Sequence, residues 1–229
     1  YTAVDKAEDE REICNAINVN AVKIIADFCK KIDAKLIHYS TDYVFDGSGE
    51  LPFTEENSEN LNPINYYGET KLNSEKEIIN SGCKYFIFRI SWVYNHSGKN
   101  FPFTILKLAS ERDELKIVAD QVGSPCYSMD IAKATLKIIE NKSSDFGIYH
   151  LTPEEYISWF EFAKIIVEKA RKYSKPLKVK GILPIKTSEF PVRAKRPLNS
   201  RLDSSKALKI LGIKLPKIEN SLEEFFKKI

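Results

Sequence analysis

Apolar residues recur at Ile13, Ile17, Ala21, Ile24, Ile25, Phe28 and Cys29, the spacing of one helical face. This predicts a helix over about 7–31, with Glu8, Asp9 and Glu10 at its electropositive N-terminal end. The pattern then changes. Two short, largely apolar runs, KLIHYST at 35–41 and YFIFRIS at 85–91, have the character of buried parallel strands. Between them, residues 51–65 carry two prolines and many Asn and Glu, which predicts a surface loop. A helix over about 65–81 follows, stopping near Gly82. Beyond Tyr94 the alternation repeats more loosely, with helices expected at 101–112, 130–141 and 159–172 and strands at 115–118 and 147–151. Residues 176–201 are basic and proline-containing, with an extended piece at 177–182, and two short helices at 204–211 and 219–228 close the chain. Strands alternating with helices predict an α/β fold built on a parallel sheet.

Composition removes several classes. The chain has 229 residues, 43% hydrophobic and 29% charged, as in globular proteins with a sizeable core. No apolar run approaches the roughly 18 residues of a membrane span, no signal peptide opens the chain, and a net charge of +3 is too small to imply nucleic acid. A cytoplasmic protein is expected. The four cysteines form no C-x-x-C pair and read as reduced core thiols, so neither a disulfide framework nor a zinc site is expected. The first residue is Tyr1 and the single methionine is Met129, so a segment upstream of Tyr1 is expected to have been removed.

In an open parallel sheet, ligands bind at the carboxyl ends of the strands. Ser40, Thr41 and Asp42 lie at one such end and Ser91 and Trp92 at the next. Taken alone, the Ser-Thr-Asp triplet reads first as a turn cap. Tyr67 and Lys71 follow on the next helix, four residues apart and so on one face. An ammonium beside a phenol favours its ionised form and makes it a better acid toward a developing alkoxide. The spacing alone carries no weight: with 11 tyrosines in so lysine-rich a chain, about one such pair arises by chance.

The context decides. A strand ending in Ser/Thr, then Tyr-x-x-x-Lys on the following helix, is the catalytic arrangement of the short-chain dehydrogenase/reductase superfamily. In finer wording the chain resembles the dTDP-4-dehydrorhamnose reductase family, in order and end to end. The matching segments are YTAVDKAE at 1–8, HYSTDYVFDG at 38–47, YGETKL at 67–72, RISWVY at 89–94, DQVGSP at 120–125, GIYHL at 147–151 and RPLNSRL at 196–202. The resemblance implies a Rossmann-like, doubly wound parallel sheet lacking its N-terminal strands, with a smaller C-terminal substrate-binding domain. The division is 1–94 as the remnant of the dinucleotide domain and 95–229 as mainly the substrate domain, with about 116–140 returning to the sheet.

It further implies NADPH (or NADH) as cofactor and reduction of the C4 ketone of dTDP-4-dehydro-L-rhamnose to dTDP-L-rhamnose. Tyr67 would donate the proton, Lys71 would hold the nicotinamide ribose and lower the Tyr67 pKa, and Thr41 would hydrogen-bond the same oxygen. Asp42 would help hold the sugar, Trp92 would wall the pocket, and Tyr1, Thr2 and Tyr39 match positions that touch the dinucleotide. Gln121, Arg196 and Arg201 would meet the nucleotide end, where a guanidinium suits a diphosphate. A homodimer is compatible with the resemblance, and a dimer-bridging Mg²⁺ is not decided by one sequence.

One departure is clear. The family's Gly-rich phosphate turn occurs nowhere in these residues, and the resemblance places Tyr1 after roughly 60 residues, two βαβ units at ~30 residues each. Two alternatives share most of the motif set: a non-catalytic regulatory subunit resembling the β subunit of methionine adenosyltransferase, and a reductase or epimerase of another nucleotide sugar.

Overall fold

The computed structural model describes residues 1–229. The chain opens with α1 (Val4–Ala7), α2 (Arg11–Asn15), a π-helical turn over Ala16–Asn20, α3 (Ala21–Lys31), β1 (Lys35–Thr41), α4 (Tyr66–Ser81) and β2 (Lys84–Ile90). It continues through β3 (Val93–Tyr94), α5 (Phe101–Glu111), β4 (Glu114–Val118), β5 (Val122–Gly123), β6 (Cys126–Tyr127), α6 (Ser128–Glu140) and β7 (Gly147–His150). It ends with β8 (Ile157–Ser158), α7 (Trp159–Lys172), β9 (Gly181–Ile185), β10 (Asn199–Ser200), α8 (Ser205–Leu211) and α9 (Ile218–Phe226).

β1, β2 and β7 form a parallel sheet in that spatial order. Because strand side chains alternate, Phe86 and Phe88 face one side and Ile87 the other. The phenylalanines pack with Ile131, Ala134 and Ile138 of α6 and Ala207 and Leu211 of α8. Ile87 packs with Ala26 of α3 and Ile78 of α4. Both faces of the sheet are thus covered by helices, which explains why the strands read as apolar runs rather than as alternating ones. A second, larger core gathers α5, α7 and α9 around Ile105, Phe162, Ile166, Leu222 and Phe225. No helix is long and apolar enough to cross a membrane, and all four cysteines are free thiols.

Three expectations are corrected. The helix expected over 7–31 starts at Arg11, because the backbone turns at Glu10 (φ −99°, ψ 44°) and the acidic run serves other elements. Glu8 accepts a hydrogen bond from the Tyr66 backbone N–H at 2.8 Å, at the start of α4, and Asp9 pairs with Arg193. In the segment about 116–140, α6 and Cys126 of β6 pack on the main sheet, but none of its strands joins that sheet: β4 pairs in parallel with β9, β5 with β10 and β8, and β6 with β3. The extended piece expected at 177–182 is displaced to Gly181–Ile185 by that pairing.

Candidate active site

Three local features set the site. Asn65 caps α4, its Oδ1 accepting from the Gly68 N–H at 2.8 Å while its Nδ2 donates to the Lys195 carbonyl at 2.9 Å. Gly68 lets the first turn of α4 approach the loop after β1, since a Cβ there would lie 2.2 Å from the Tyr43 carbonyl oxygen. Tyr67 therefore stands edge-on to Tyr43, with ring centroids 6.0 Å apart. Thr41, the last residue of β1, accepts from the Tyr43 N–H at 3.2 Å and donates to Asp42 Oδ1 at 2.9 Å. Its hydroxyl also acts on the Tyr67 phenol, so Thr41 and Tyr67 are neighbours.

The electrostatics depart from the expectation in one respect. Burial, reinforced by the Asp42 charge, pushes the Tyr67 phenol up from its ordinary value, and the Thr41 hydroxyl opposes this only partly. Lys71 does not lower it. Its ammonium is turned toward the sheet, donating to the Tyr39 carbonyl at 2.6 Å and lying 3.1 Å from His38 Nε2. Burial pulls Lys71 itself down to about 8. Tyr67 stays a protonated phenol at neutral pH, as it would at its ordinary value, and in this site it is a weaker acid than the expected Lys71 effect would make it.

Asp42 is 3% exposed and its Oδ2 has no hydrogen-bond partner. Burial raises its pKa from 3.8 to about 6, opposed by the nearby Ser200 hydroxyl, which has no hydrogen-bond partner of its own, and by the Thr41 hydroxyl that donates to Oδ1. The folded state therefore holds this proton more tightly than the unfolded chain. The stabilisation is complete below the unfolded value and is lost as pH rises through 6, leaving a cost of about 3 kcal/mol at pH 8. Asp42→Asn keeps the acceptor for Thr41 and gives Ser200 a donor. Urea unfolding should show the variant more stable than the parent at pH 8, with the advantage gone at pH 3.5; equal differences at both pH values would refute this account.

Trp92 occupies a left-handed backbone conformation (φ 45°), which is uncommon and strained for an aromatic residue. It lays the indole flat on Trp159, with centroids 3.6 Å apart and planes 9° from parallel. Gly123 makes room, because a Cβ there would lie 2.9 Å from the Trp92 ring. Trp159 and Tyr43 both line a cavity of about 420 Å³ closed further by Phe101, Leu108 and Phe190. Gln121 and Arg196 line it too; Gln121 donates to Thr187 at 3.1 Å, and Arg196 pairs with Asp5 at 2.6 Å.

Of the expected residues only Gln121 and Arg196 line this cavity; Thr41, Asp42, Tyr67, Lys71 and Trp92 do not, Tyr67 reaching it through Tyr43 and Trp92 through Trp159. Arg201 is not among the cavity residues and its guanidinium donates to Asn199 Oδ1 at 3.0 Å. The Tyr39 side chain points to the opposite sheet face from Lys71, meeting Thr135 at 2.8 Å. Thr2 is exposed, while Tyr1 is clasped by Asn18, whose Oδ1 accepts from Tyr1 N at 2.9 Å and whose Nδ2 donates to its carbonyl at 3.0 Å. Sequence reasoning missed Trp159, Tyr43, Arg112 and Lys116, all cavity-lining. One signal for Trp159 was available, since it is one of only two tryptophans. Nothing marks Arg112 or Lys116 among so many cations.

Comparison with known proteins agrees with this architecture. The family model described as the RmlD substrate binding domain matches residues 1–229. A dTDP-4-dehydrorhamnose reductase of Escherichia coli K12 is 40% identical over 99% of this chain and 77% of its own length. One from Burkholderia thailandensis is 40% identical over 94% of this chain and 75% of its own length. The crystal structure of dTDP-4-dehydrorhamnose reductase from Bacillus anthracis in complex with NADP superimposes with a TM-score of 0.91 at 39% identity, covering 100% of this chain and 78% of that one. The chain belongs to the RmlD family, that of the dTDP-4-dehydrorhamnose reductases.

Proposed function

We infer that the protein reduces the C4 ketone of dTDP-4-dehydro-L-rhamnose to give dTDP-L-rhamnose, with NADPH as reductant, and that residues 1–94 serve the dinucleotide and 95–229 mainly the sugar nucleotide. The observation that carries the reading is the protonated Tyr67 phenol beside the Thr41 hydroxyl, next to the cavity that Tyr43 and Trp159 line. The relatives named above are reductases of this substrate, and one was crystallised with NADP.

The fit of a nicotinamide dinucleotide is supported by Lys71. An ammonium has three donors, and the protein takes two of them, at Tyr39 O and His38 Nε2. The third is left for a hydroxyl such as that of a ribose. Lys71 and Tyr67, with the Tyr1–Thr2 segment held by Asn18, would hold the cofactor. When bound, the cofactor supplies the hydride. Tyr67 gives its proton to the oxygen of the sugar ketone, so that no free alkoxide forms. Thr41, turning from Asp42, offers that oxygen a second donor, an electrostatic contribution that preorganisation makes effective. Asp42, from its buried position, orients Thr41. The Trp92–Trp159 stack walls the sugar side, while Gln121, Arg196, Arg112 and Lys116 present donors and positive charge suited to a nucleotide diphosphate.

The test follows NADPH absorbance with dTDP-4-dehydro-L-rhamnose and with UDP- and GDP-linked keto-sugars in parallel. Oxidation is expected with the dTDP sugar at a kcat/KM at least tenfold above the others. Oxidation with none of them removes the reading, and a preference for another nucleotide moves the assignment to that sugar.

A further inference from the structure

His38 stands under Lys71 on β1 and touches neither the ketone nor Tyr67 in the chemistry above; its one link to the site is the Lys71 ammonium. Its Nε2 lies 3.1 Å from the Lys71 ammonium and 3.1 Å from Ser74 Oγ. The Ser74 hydroxyl donates to the Lys71 carbonyl at 2.6 Å, so toward His38 it presents lone pairs. An ammonium has no lone pair and is the stronger donor of the two. The Lys71 contact is satisfied when Nε2 is bare and the imidazole proton sits on Nδ1; Ser74 Oγ is then a neighbour of Nε2 and not its hydrogen-bond partner, because its proton goes to the Lys71 carbonyl. Burial and the Lys71 charge hold the His38 pKa down to about 3, so the ring is neutral throughout the working range.

We propose that His38 is a positioning residue for Lys71: its neutral Nε2 accepts one ammonium N–H, the Tyr39 carbonyl accepts a second, and the remaining donor is thereby aimed into the cleft. This rests on the reductase reading for its consequence in turnover, but not for its geometry. The ionisable groups that act on the Lys71 ammonium are His38 from β1, Glu75 one turn along α4, and Cys14 from α2. The carboxylate of Glu75 is taken by Arg89 in two hydrogen bonds, at 3.0 and 2.7 Å, leaving His38 as the nearest side-chain acceptor. Removing that acceptor from a buried cation disfavours its charged form.

The experiment titrates the Lys71 side chain by NMR in the folded protein, its resonance assigned with Lys71→Arg, and sets the result beside the pH profile of kcat. In His38→Phe the Lys71 titration is expected to move down by about one pH unit, and the alkaline limb of kcat to move with it. At pH 8 kcat falls about fivefold, the drop in the protonated fraction of Lys71 for a one-unit shift from about 8, while the KM for the sugar stays within twofold. His38→Gln, which restores an acceptor, brings both back toward the parent. His38→Ala must give the same downward shift and serves if the phenylalanine variant does not fold. An unshifted Lys71 titration in a folded variant overturns the proposal, whatever the activity. A shifted titration in a protein that reduces no keto-sugar upholds the role of His38 and refutes the reductase reading instead.

Discussion

Tyr67→Phe should lower kcat for keto-sugar reduction by about 10²–10⁴-fold, or roughly 2.7–5.5 kcal/mol of barrier, and leave the KM for the sugar within a few-fold. The variant loses one oxygen and nothing else of the packing. The ring keeps its edge-on contact with Tyr43 at 6.0 Å, and the helix start keeps its Asn65 cap. Since burial and Asp42 hold the phenol protonated, the loss should be nearly uniform from pH 6 to 8. The parent enzyme should instead decline above about 8 as Lys71 loses its proton. Stopped-flow NADPH oxidation across that range distinguishes the two limbs. A variant that keeps more than a tenth of the parental rate removes Tyr67 from the role of acid.

The second large effect concerns stability. Glu75 and Arg89 form a bidentate ion pair, each side chain 2% exposed, directly behind the site. Ser40 donates to the same carboxylate, Arg89 lies 5.0 Å above the Phe45 ring, and His150 Nε2 is 3.5 Å from its guanidinium. Glu75→Gln leaves a buried guanidinium without its counter-charge, which costs about 3–5 kcal/mol. For a chain of this size the melting temperature should fall by roughly 6–20 °C. The double replacement Glu75→Leu with Arg89→Met removes both charges together and should recover most of the loss, because a well-packed apolar pair avoids the desolvation penalty. If the double variant melts no higher than Glu75→Gln, the cost is not electrostatic and the pair matters through shape.

Much of this arrangement could be read along the chain where the signal is local. β1 and α7 lie where the periodicity puts them, at Lys35–Thr41 and Trp159–Lys172. α4 begins at an asparagine cap and ends at a left-handed glycine, Gly82 (φ 66°), both visible in the sequence. The two-residue strands β3, β5, β6, β8 and β10 carry no period of their own, because they exist only through pairing with distant chain, as Val122–Gly123 does with both Asn199–Ser200 and Ile157–Ser158. The same holds in the site. Thr41, Tyr67 and Lys71 were singled out by residue type and order. That Lys71 turns toward Tyr39 and His38 rather than toward Tyr67 is decided by hydrogen-bond partners on another strand, beyond the reach of helical spacing.

The sequence by itself determined an α/β chain with a parallel sheet, the Tyr67–Lys71 pair after a strand ending in Thr41, and the family that these segments resemble. Those features depend on contacts within a turn or two, or on motif order. Only the tertiary structure decided the electrostatic surroundings and the packing of the site: the upward shifts of Tyr67 and Asp42, the Trp92–Trp159 stack, and the separation of Arg201 from the cavity that Arg196 lines. Burial and long-range packing set these, and both are properties of where the folded chain brings residues together rather than of their neighbours in sequence.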